Sequence, residues 1–322
     1  MFRREATDAR QMDALEVSMI SEMPTPSSLV KAGAFIECRV CGSSDCHESF
    51  SSYRGSVYHC KQCRLYFVGM SEAPPLGQES GFYSTIDEER YKEYFRPFRS
   101  DQYRYVLSQL PSRRGASLLD IGASYGWMVE VGNNLGFDSF GLEPGSASYD
   151  ASLEGRIFRE TLENFCARSK RKFDVITIWH VLEHLPDPVA AMGQINSLLE
   201  DGGTLVIAVP TSDGWMFRLA LLLNKLFGSK HLLNELFYFH NINMHFTYPN
   251  IESVDTLLQQ QKLKIISAIT LEAFDWKTIW KRATSPYIRI GLKLLGPLIA
   301  TSGFTRRENL VVIAQKPIDK KR

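Results

Sequence analysis

Hydrophobic and polar positions follow two different patterns on either side of about residue 111. From Ser117 onward, short apolar runs alternate with stretches whose apolar residues recur at helical spacing. Ser117–Ile121 reads as a buried strand, Trp127, Val131 and Leu135 mark one face of a helix, and Ser139–Leu142 forms a second strand ending on Glu143. Arg156–Arg159 is a weaker third strand. Lys172–Trp179 is the fourth, with a helix from about Asp187 to Leu199 after it. Gly202 and Gly203 open the fifth, Thr204–Val209, which stops at Pro210. A helix over Ile251–Gln261, a sixth strand at Leu263–Leu271 and a seventh at Asn309–Ala314 complete the series. Strand–helix units repeated at this length predict an α/β fold with a doubly wound, mostly parallel sheet of seven strands.

Two apolar segments, 213–245 and 274–304, interrupt the alternation. The first follows the fifth strand, at the carboxyl edge where open sheets bind ligands. Both segments read as lid helices, or as an apolar acceptor channel or a contact with a membrane surface or partner.

The N-terminal part divides differently. Residues 1–33 are polar and contain Pro24 and Pro26, the pattern of a flexible tail, with a short amphipathic helix over Asp8–Ile20 as the alternative. Residues 34–70 hold two knuckles, Cys38-Arg39-Val40-Cys41 and Cys60-Lys61-Gln62-Cys63, with eighteen residues between them. This spacing is that of a zinc site. Four thiolates would close a tetrahedral shell and make the ion structural. Cys46 and His47 fall between the knuckles and are surplus to such a shell. Residues 71–86, with Pro74 and Pro75, read as a linker. A helix over 87–110 then carries Tyr91, Tyr94, Phe95, Phe98 and Tyr105, with Pro97 expected to kink or split it. The remainder, 111–322, is one large domain with the two inserts.

Composition narrows the classes. At 44% hydrophobic and 23% charged residues, the chain is ordinary for a globular protein. A net charge of +1 offers no global basic field for nucleic acid. No signal-peptide pattern is present and no apolar run reaches about 18 residues, so a cytoplasmic location is the expectation.

The chemistry centres on the turn between the first strand and its helix, Asp120-Ile121-Gly122-Ala123-Ser124-Tyr125-Gly126. Glycine lets the backbone turn tightly. Glu143, closing the next strand, offers a carboxylate to two ribose hydroxyls, and the helix start offers N–H groups. Asp120 just before the turn would repel a pyrophosphate and suits a ligand with an ammonium group. Gly122-x-Ser124-x-Gly126 also matches a hydrolase nucleophile elbow. No oxyanion loop precedes it, and the strands that should come before that elbow are missing.

Asp120-x-Gly122-x-x-x-Gly126 with Glu143 resembles the cofactor loop of class I S-adenosylmethionine (SAM) methyltransferases, although Ser124 replaces the frequent middle glycine. Downstream, Leu182-Glu183-His184-Leu185-Pro186-Asp187-Pro188 resembles the segment after the fourth strand of small-molecule and ubiquinone-type methyltransferases. The resemblance implies a Rossmann-like fold whose last two strands form an antiparallel edge, and SAM as cofactor. It assigns the methionine end to Asp120, Gly122, Ala123, Ser124 and Gly126, and the ribose to Glu143. Glu163 falls on the adenine side, and Pro144 and Trp179 also belong to the cofactor site. The helix ahead of the first strand would cover the cofactor. The zinc module is similar to that of sugar C-methyltransferases, and some ribosomal RNA methyltransferases carry one too.

For a base, His180, His184 and His245 are the candidates, since imidazole titrates near neutrality. Glu183 reads as a helix-start acid. Three readings follow: a SAM-dependent methyltransferase acting on a small molecule, a sugar or glycan, or a lipid-like acceptor; a zinc-containing RNA methyltransferase; and a non-catalytic SAM-fold binding module.

Overall fold

The strand pattern closes into one sheet. The structure is a computed structural model, and it describes residues 36–52, 55–69, 88–111, 114–237, 245–278, 280, 286–301 and 307–318. The expected tail and linker lie outside the described residues. Seven strands pair in the order β6 (Ile157–Phe158), β5 (Asp138–Leu142), β4 (Ser117–Ile121), β7 (Phe173–Trp179), β8 (Leu199–Pro210), β11 (Asn309–Gln315), β10 (Lys264–Leu271). The pairs β4–β5, β5–β6, β4–β7 and β7–β8 are parallel, and β11 is antiparallel to both β8 and β10. The order reverses at β4, so ligands are expected beyond the carboxyl ends of β4, β5 and β7.

The last two strands form the antiparallel edge, as expected, with their order reversed relative to the chain. The seventh strand, β11, inserts between β8 and β10, leaving β10 alone outside. Burial explains the choice: β11 is buried from Asn309 to Ala314, whereas β10 is never fully buried and alternates exposed with half-buried positions. A strand covered on both faces belongs inside a sheet, and an alternating one suits its margin.

Helices cover both faces. Residues Trp127–Asn134 form α2, Leu162–Arg168 form α3, and Pro188–Leu198 form α4, which is capped by Asp187 through a bond from the Ala190 N–H with Pro188 in the first turn. Ahead of β4, Glu88–Ser108 form one continuous helix, α1, through Pro97. It is tied down on both sides of the proline. The Tyr94 hydroxyl donates to the Asp275 carbonyl (3.1 Å), Arg96 pairs with Glu130 (2.9 Å), and Gln102 Nε2 donates to the Glu272 carbonyl (2.8 Å). These anchors keep the two halves in line where proline alone would break a helix.

The cysteine-rich region builds a second sheet. Strands β1 (Cys46–Ser52), β2 (Gly55–Cys60) and β3 (Tyr66–Val68) are antiparallel neighbours, and a fourth strand, β9 (Thr247–Tyr248), pairs with β3. β9 comes from far along the chain, just before α7 (Ile251–Gln260). The two regions therefore share a sheet. Cys38, Cys60, Cys63, Leu65 and Phe67 also belong to the same buried cluster as Leu119, Ile176 and Leu258.

Candidate active site

At the end of β4 the chain turns through Gly122 (φ +75°), Ser124 (φ +48°) and Gly126 (φ +76°) into α2. These are left-handed conformations, which glycine adopts freely and serine rarely. The Glu143 carboxylate explains how Ser124 is held there. Its Oε2 accepts the Ser124 N–H (2.8 Å), and its Oε1 accepts the Gly145 N–H (2.7 Å). Glu143 thus organises the turn as well as standing where a ribose is expected. A Cβ added at Gly122 would collide with Val181 Cγ2. Gly122→Ala is therefore expected to cost about 2–4 kcal/mol of stability. A urea midpoint equal to that of the parent protein would contradict this.

Asp120 is 4% exposed and accepts the Thr177 hydroxyl (2.6 Å). Burial pushes its carboxyl up to about 7, and the nearby Glu143 charge adds to the rise. Two carboxylates at one turn form an electrostatic trap for a cation. Ala123 is buried beneath the turn, touching the position that a side chain on Gly141 would occupy. Pro144 is exposed beside Glu143, and Glu163 is exposed on the first turn of α3. Trp179 is buried edge-on against Tyr103 of α1, with its indole N–H unpaired.

Directly beyond β7 the chain forms a polar cluster. His180 is left-handed (φ +54°) and its N–H donates to the Ala208 carbonyl (2.8 Å). Strain of this kind persists where the surroundings enforce it. A 3-10 turn over Leu182–His184 brings Glu183 back beneath the ring, and His180 Nδ1 lies 3.0 Å from Glu183 Oε1. The sequence predicts a helix-start acid at Glu183. It is instead 0% exposed, because Asp187 takes the capping role and leaves Glu183 turned inward. Burial raises the Glu183 carboxyl to about 7. Burial also holds His180 well below its usual value, helped by the Arg99 and His184 charges. His245 reaches the cluster from the other side, its ring 4.7 Å from that of His184. Burial lowers its proton affinity as well. Glu183, His184 and His245 bring one ligand-type atom each within 4.8 Å of one another. His180 Nε2, Glu183 Oε2 and His245 Nδ1 are buried without partners. Such atoms are costly to leave unmet, so each is a candidate partner for a polar group of a ligand.

The three histidines are thus brought together, and Val181, next to His180, packs on Gly122 of the turn. Cofactor turn and histidine cluster are neighbours. The buried orientation of Glu183 and the contribution of Arg99 from α1 escape sequence reasoning. The His180-x-x-Glu183 spacing is the signal that carried the former, since residues three apart meet across a helical turn.

The thiols of Cys38, Cys41, Cys60 and Cys63 lie within 4.8 Å of one another, with Cys38–Cys63 at 3.4 Å and Cys41–Cys60 at 3.5 Å. A tetrahedral ion with bonds of about 2.3 Å to sulfur needs sulfurs about 3.8 Å apart, so a small shift of the four thiols would accept one. The hydrogen bond from Cys63 draws the Cys38 thiol down to about 5, towards the thiolate a metal requires. Cys46 donates instead to the Ser43 carbonyl (3.3 Å). The knuckles also grip the large domain. Arg39 Nη1 donates to the Pro186 carbonyl (2.6 Å), Gln260 Nε2 to the Val40 carbonyl (2.7 Å), and Asn250 Nδ2 to the Arg64 carbonyl (2.9 Å). The Val68 N–H donates to the Phe246 carbonyl (2.9 Å).

Comparison with known proteins places this geometry. A family model described as "Methyltransferase domain" matches residues 91–268, more than half of the chain. The ubiquinone biosynthesis O-methyltransferase of Xanthomonas campestris pv. campestris is 30% identical over 133 residues, 39% of this chain and 54% of that protein. The Salmonella enteritidis protein of the same name is 24% identical over 137 residues, 40% and 54% of the two chains. The chain spans about half the length of the curated relatives it matches. Among solved structures, a cyclopropane synthase of Mycobacterium tuberculosis shares the fold, with a TM-score of 0.53 at 14% identity over 76% of this chain and 99% of that one. Sheet order and family match agree: the chain belongs to the class I SAM-dependent methyltransferases.

Proposed function

We propose that this methyltransferase methylates a hydroxyl oxygen of an apolar, lipid-like small molecule, with His180 as the base and Glu183 as its positioning partner. The observation that carries the reading is the unpartnered, buried Nε2 of His180, fixed by the Nδ1–Glu183 contact beside the cofactor turn. The names of the relatives, ubiquinone O-methyltransferases, support oxygen as the acceptor atom.

Bound SAM supplies a methyl group made electrophilic by its sulfonium. The donor set of the turn suits it. Asp120 takes the ammonium, which stabilises a carboxylate that burial otherwise keeps close to protonation at neutral pH. Glu143 takes the ribose, and Ala123, Ser124, Pro144 and Trp179 line the remaining cofactor surface. Glu163 stands exposed and would meet the adenine only from its rim. His180, neutral at pH 7, accepts the acceptor's hydroxyl proton at Nε2 while Glu183 Oε1 holds its Nδ1–H. His184 and His245 flank the acceptor. Arg99, contributing positive charge from α1, disfavours a doubly protonated His180 before the acceptor arrives.

The four thiols hold a structural zinc ion, a role their mutual distances support. Thiolates held by zinc rather than joined in disulfides would suit a reducing, cytoplasmic location. A sugar or glycan hydroxyl would use the same base, but the apolar inserts favour a lipid-like acceptor.

Calorimetry with SAM provides the first test. Asp120→Ala should weaken SAM roughly 30- to 1000-fold, the loss that accompanies removal of one member of a buried charge pair, and Glu143→Ala roughly 10- to 150-fold, the worth of a hydrogen bond to a charged acceptor. Unchanged affinity in both would remove the cofactor assignment. Labelled SAM incubated with a lipid extract should then give an O-methyl product. Label recovered on nitrogen or carbon would overturn the choice of acceptor atom.

A further inference from the structure

Two helices leave an apolar face uncovered. Trp215–Phe227 form α5, and Leu219, Leu222, Leu226 and Phe227 on it are exposed, Phe227 to 75%. After α6 (His231–Phe237), Pro286–Thr301 form α8, where Ile290, Leu294, Leu295 and Leu298 are exposed, Leu294 to 68%. In each helix these residues recur at spacings that put them on one side.

Both helices spring from the same edge of the large sheet, the edge that carries the site. Asn309 of β11 pairs with Pro210 at the end of β8 and with Leu271 at the end of β10. Pro210 and Leu271 are the points from which the two inserts depart. Their roots are also tied together. The buried Glu308 carboxylate accepts the N–H groups of Trp215 (3.0 Å) and Met216 (3.3 Å), and the rings of Trp215 and Trp276 are 6.4 Å apart.

The charges on α5 and α8 themselves have one sign, with Arg218 of α5 paired to Asp213 just ahead of the helix (3.0 Å) and Glu235 following in α6. Between Trp215 and Asn234 the charged residues are Arg218, Lys225 and Lys230, with no acid among them. Between Trp276 and Arg307 every charged residue is a lysine or an arginine, although the whole chain carries only +1. Among the described side chains, Lys225 and Lys293 are exposed beside the leucines, and Lys293 lies over the Trp280 ring (5.4 Å). Apolar side chains, tryptophan and exposed lysines beside them are what a helix lying in a lipid interface needs. No helix of the described residues is long and apolar enough to cross a membrane.

We infer that α5 and α8 form a docking surface for an anionic lipid bilayer, on the side of the molecule where the active site opens. This goes beyond the functional reading and shares with it only an apolar acceptor, which a docked enzyme would draw from the bilayer. It stands even if the acceptor atom is wrong.

Vesicle flotation tests it on the full chain, comparing phosphatidylcholine with phosphatidylcholine–phosphatidylglycerol mixtures. Binding should require the anionic lipid and fall steeply with salt. A Lys225→Glu and Lys293→Glu double variant should bind roughly 10- to 100-fold more weakly, at about 1 kcal/mol for each cation lost. A separate Leu294→Ser and Leu298→Ser variant should lose binding to the same vesicles. Unchanged SAM affinity in both variants would show that they fold. Equal binding to neutral and anionic vesicles, or none to either, would overturn the inference. So would a dimer, measured by light scattering, that dissociates on the leucine substitutions, since the face would then join two copies of the chain.

Discussion

Replacing His180 with alanine is expected to lower kcat by about 10²- to 10⁴-fold, the range for removal of a general base, with SAM affinity unchanged. His180 is held by three neighbours that leave Nε2 without a partner: Ala208 at its backbone, Glu183 at Nδ1 and Trp179 edge-on to the ring. The pH profile should identify the pair. His180 has its proton affinity lowered by burial, so it is already neutral in the neutral range. Glu183 is raised to about 7. The rate should therefore climb as pH rises through about 7, where Glu183 ionises and becomes an acceptor for Nδ1–H. Glu183→Gln keeps the shape and removes the ionisation. It should lose the climb near 7 and lower kcat roughly 10- to 100-fold, with the acceptor KM little changed. A wild-type profile flat between pH 6 and pH 8, or a Glu183→Gln enzyme that keeps the climb, would show that another group takes the proton.

Removing the metal should have the second large effect. Purified protein is expected to carry about one zinc per chain, and Cys60→Ser to lose most of it. In small zinc modules, metal binding is worth about 10–16 kcal/mol and supplies the folding free energy outright. The loss here should reach several kcal/mol, comparable with the whole stability of an ordinary domain. Its spread should be uneven. The knuckles hold Pro186, Gln260 and Asn250 through side-chain bonds, and β3 holds β9. Hydrogen exchange should therefore accelerate at 182–186 and 245–250 before it does in β4 and α2. Acceptor turnover should fall while SAM still binds. Less than about half an equivalent of zinc in the parent protein, or a Cys60→Ser variant with unaltered exchange, would argue against the site.

The parts of the fold visible in the sequence are those written by local pattern. The alternation from Ser117 onward depends on neighbours within a few residues, and so do the knuckle spacing and the caps at Asp187 and Asn250. The strand order at the far side of the sheet was less legible. Asn309–Gln315 and Lys264–Leu271 are both strand-like, and only the competition for double-sided burial puts β11 inside. β9 was hidden because its two residues carry no strand signal without β3 to receive them. In the site, carboxylates were the hard cases. Asp120 and Glu143 stand at the ends of strands, which spacing alone reveals. Glu183 precedes a helix start and looks like a cap until Asp187 is seen to fill that place.

The pairing of β3 with β9 also orders events during synthesis. Thr247 leaves the ribosome roughly 180 residues after Val68, a delay of roughly 10–40 s at ordinary elongation rates. The thiols can gather a metal early, but β3 waits through that interval with one edge unpaired. An open strand edge invites pairing with other chains. The nascent protein therefore has its longest period of vulnerability at Tyr66–Val68, and slow translation of the intervening segment would lengthen it.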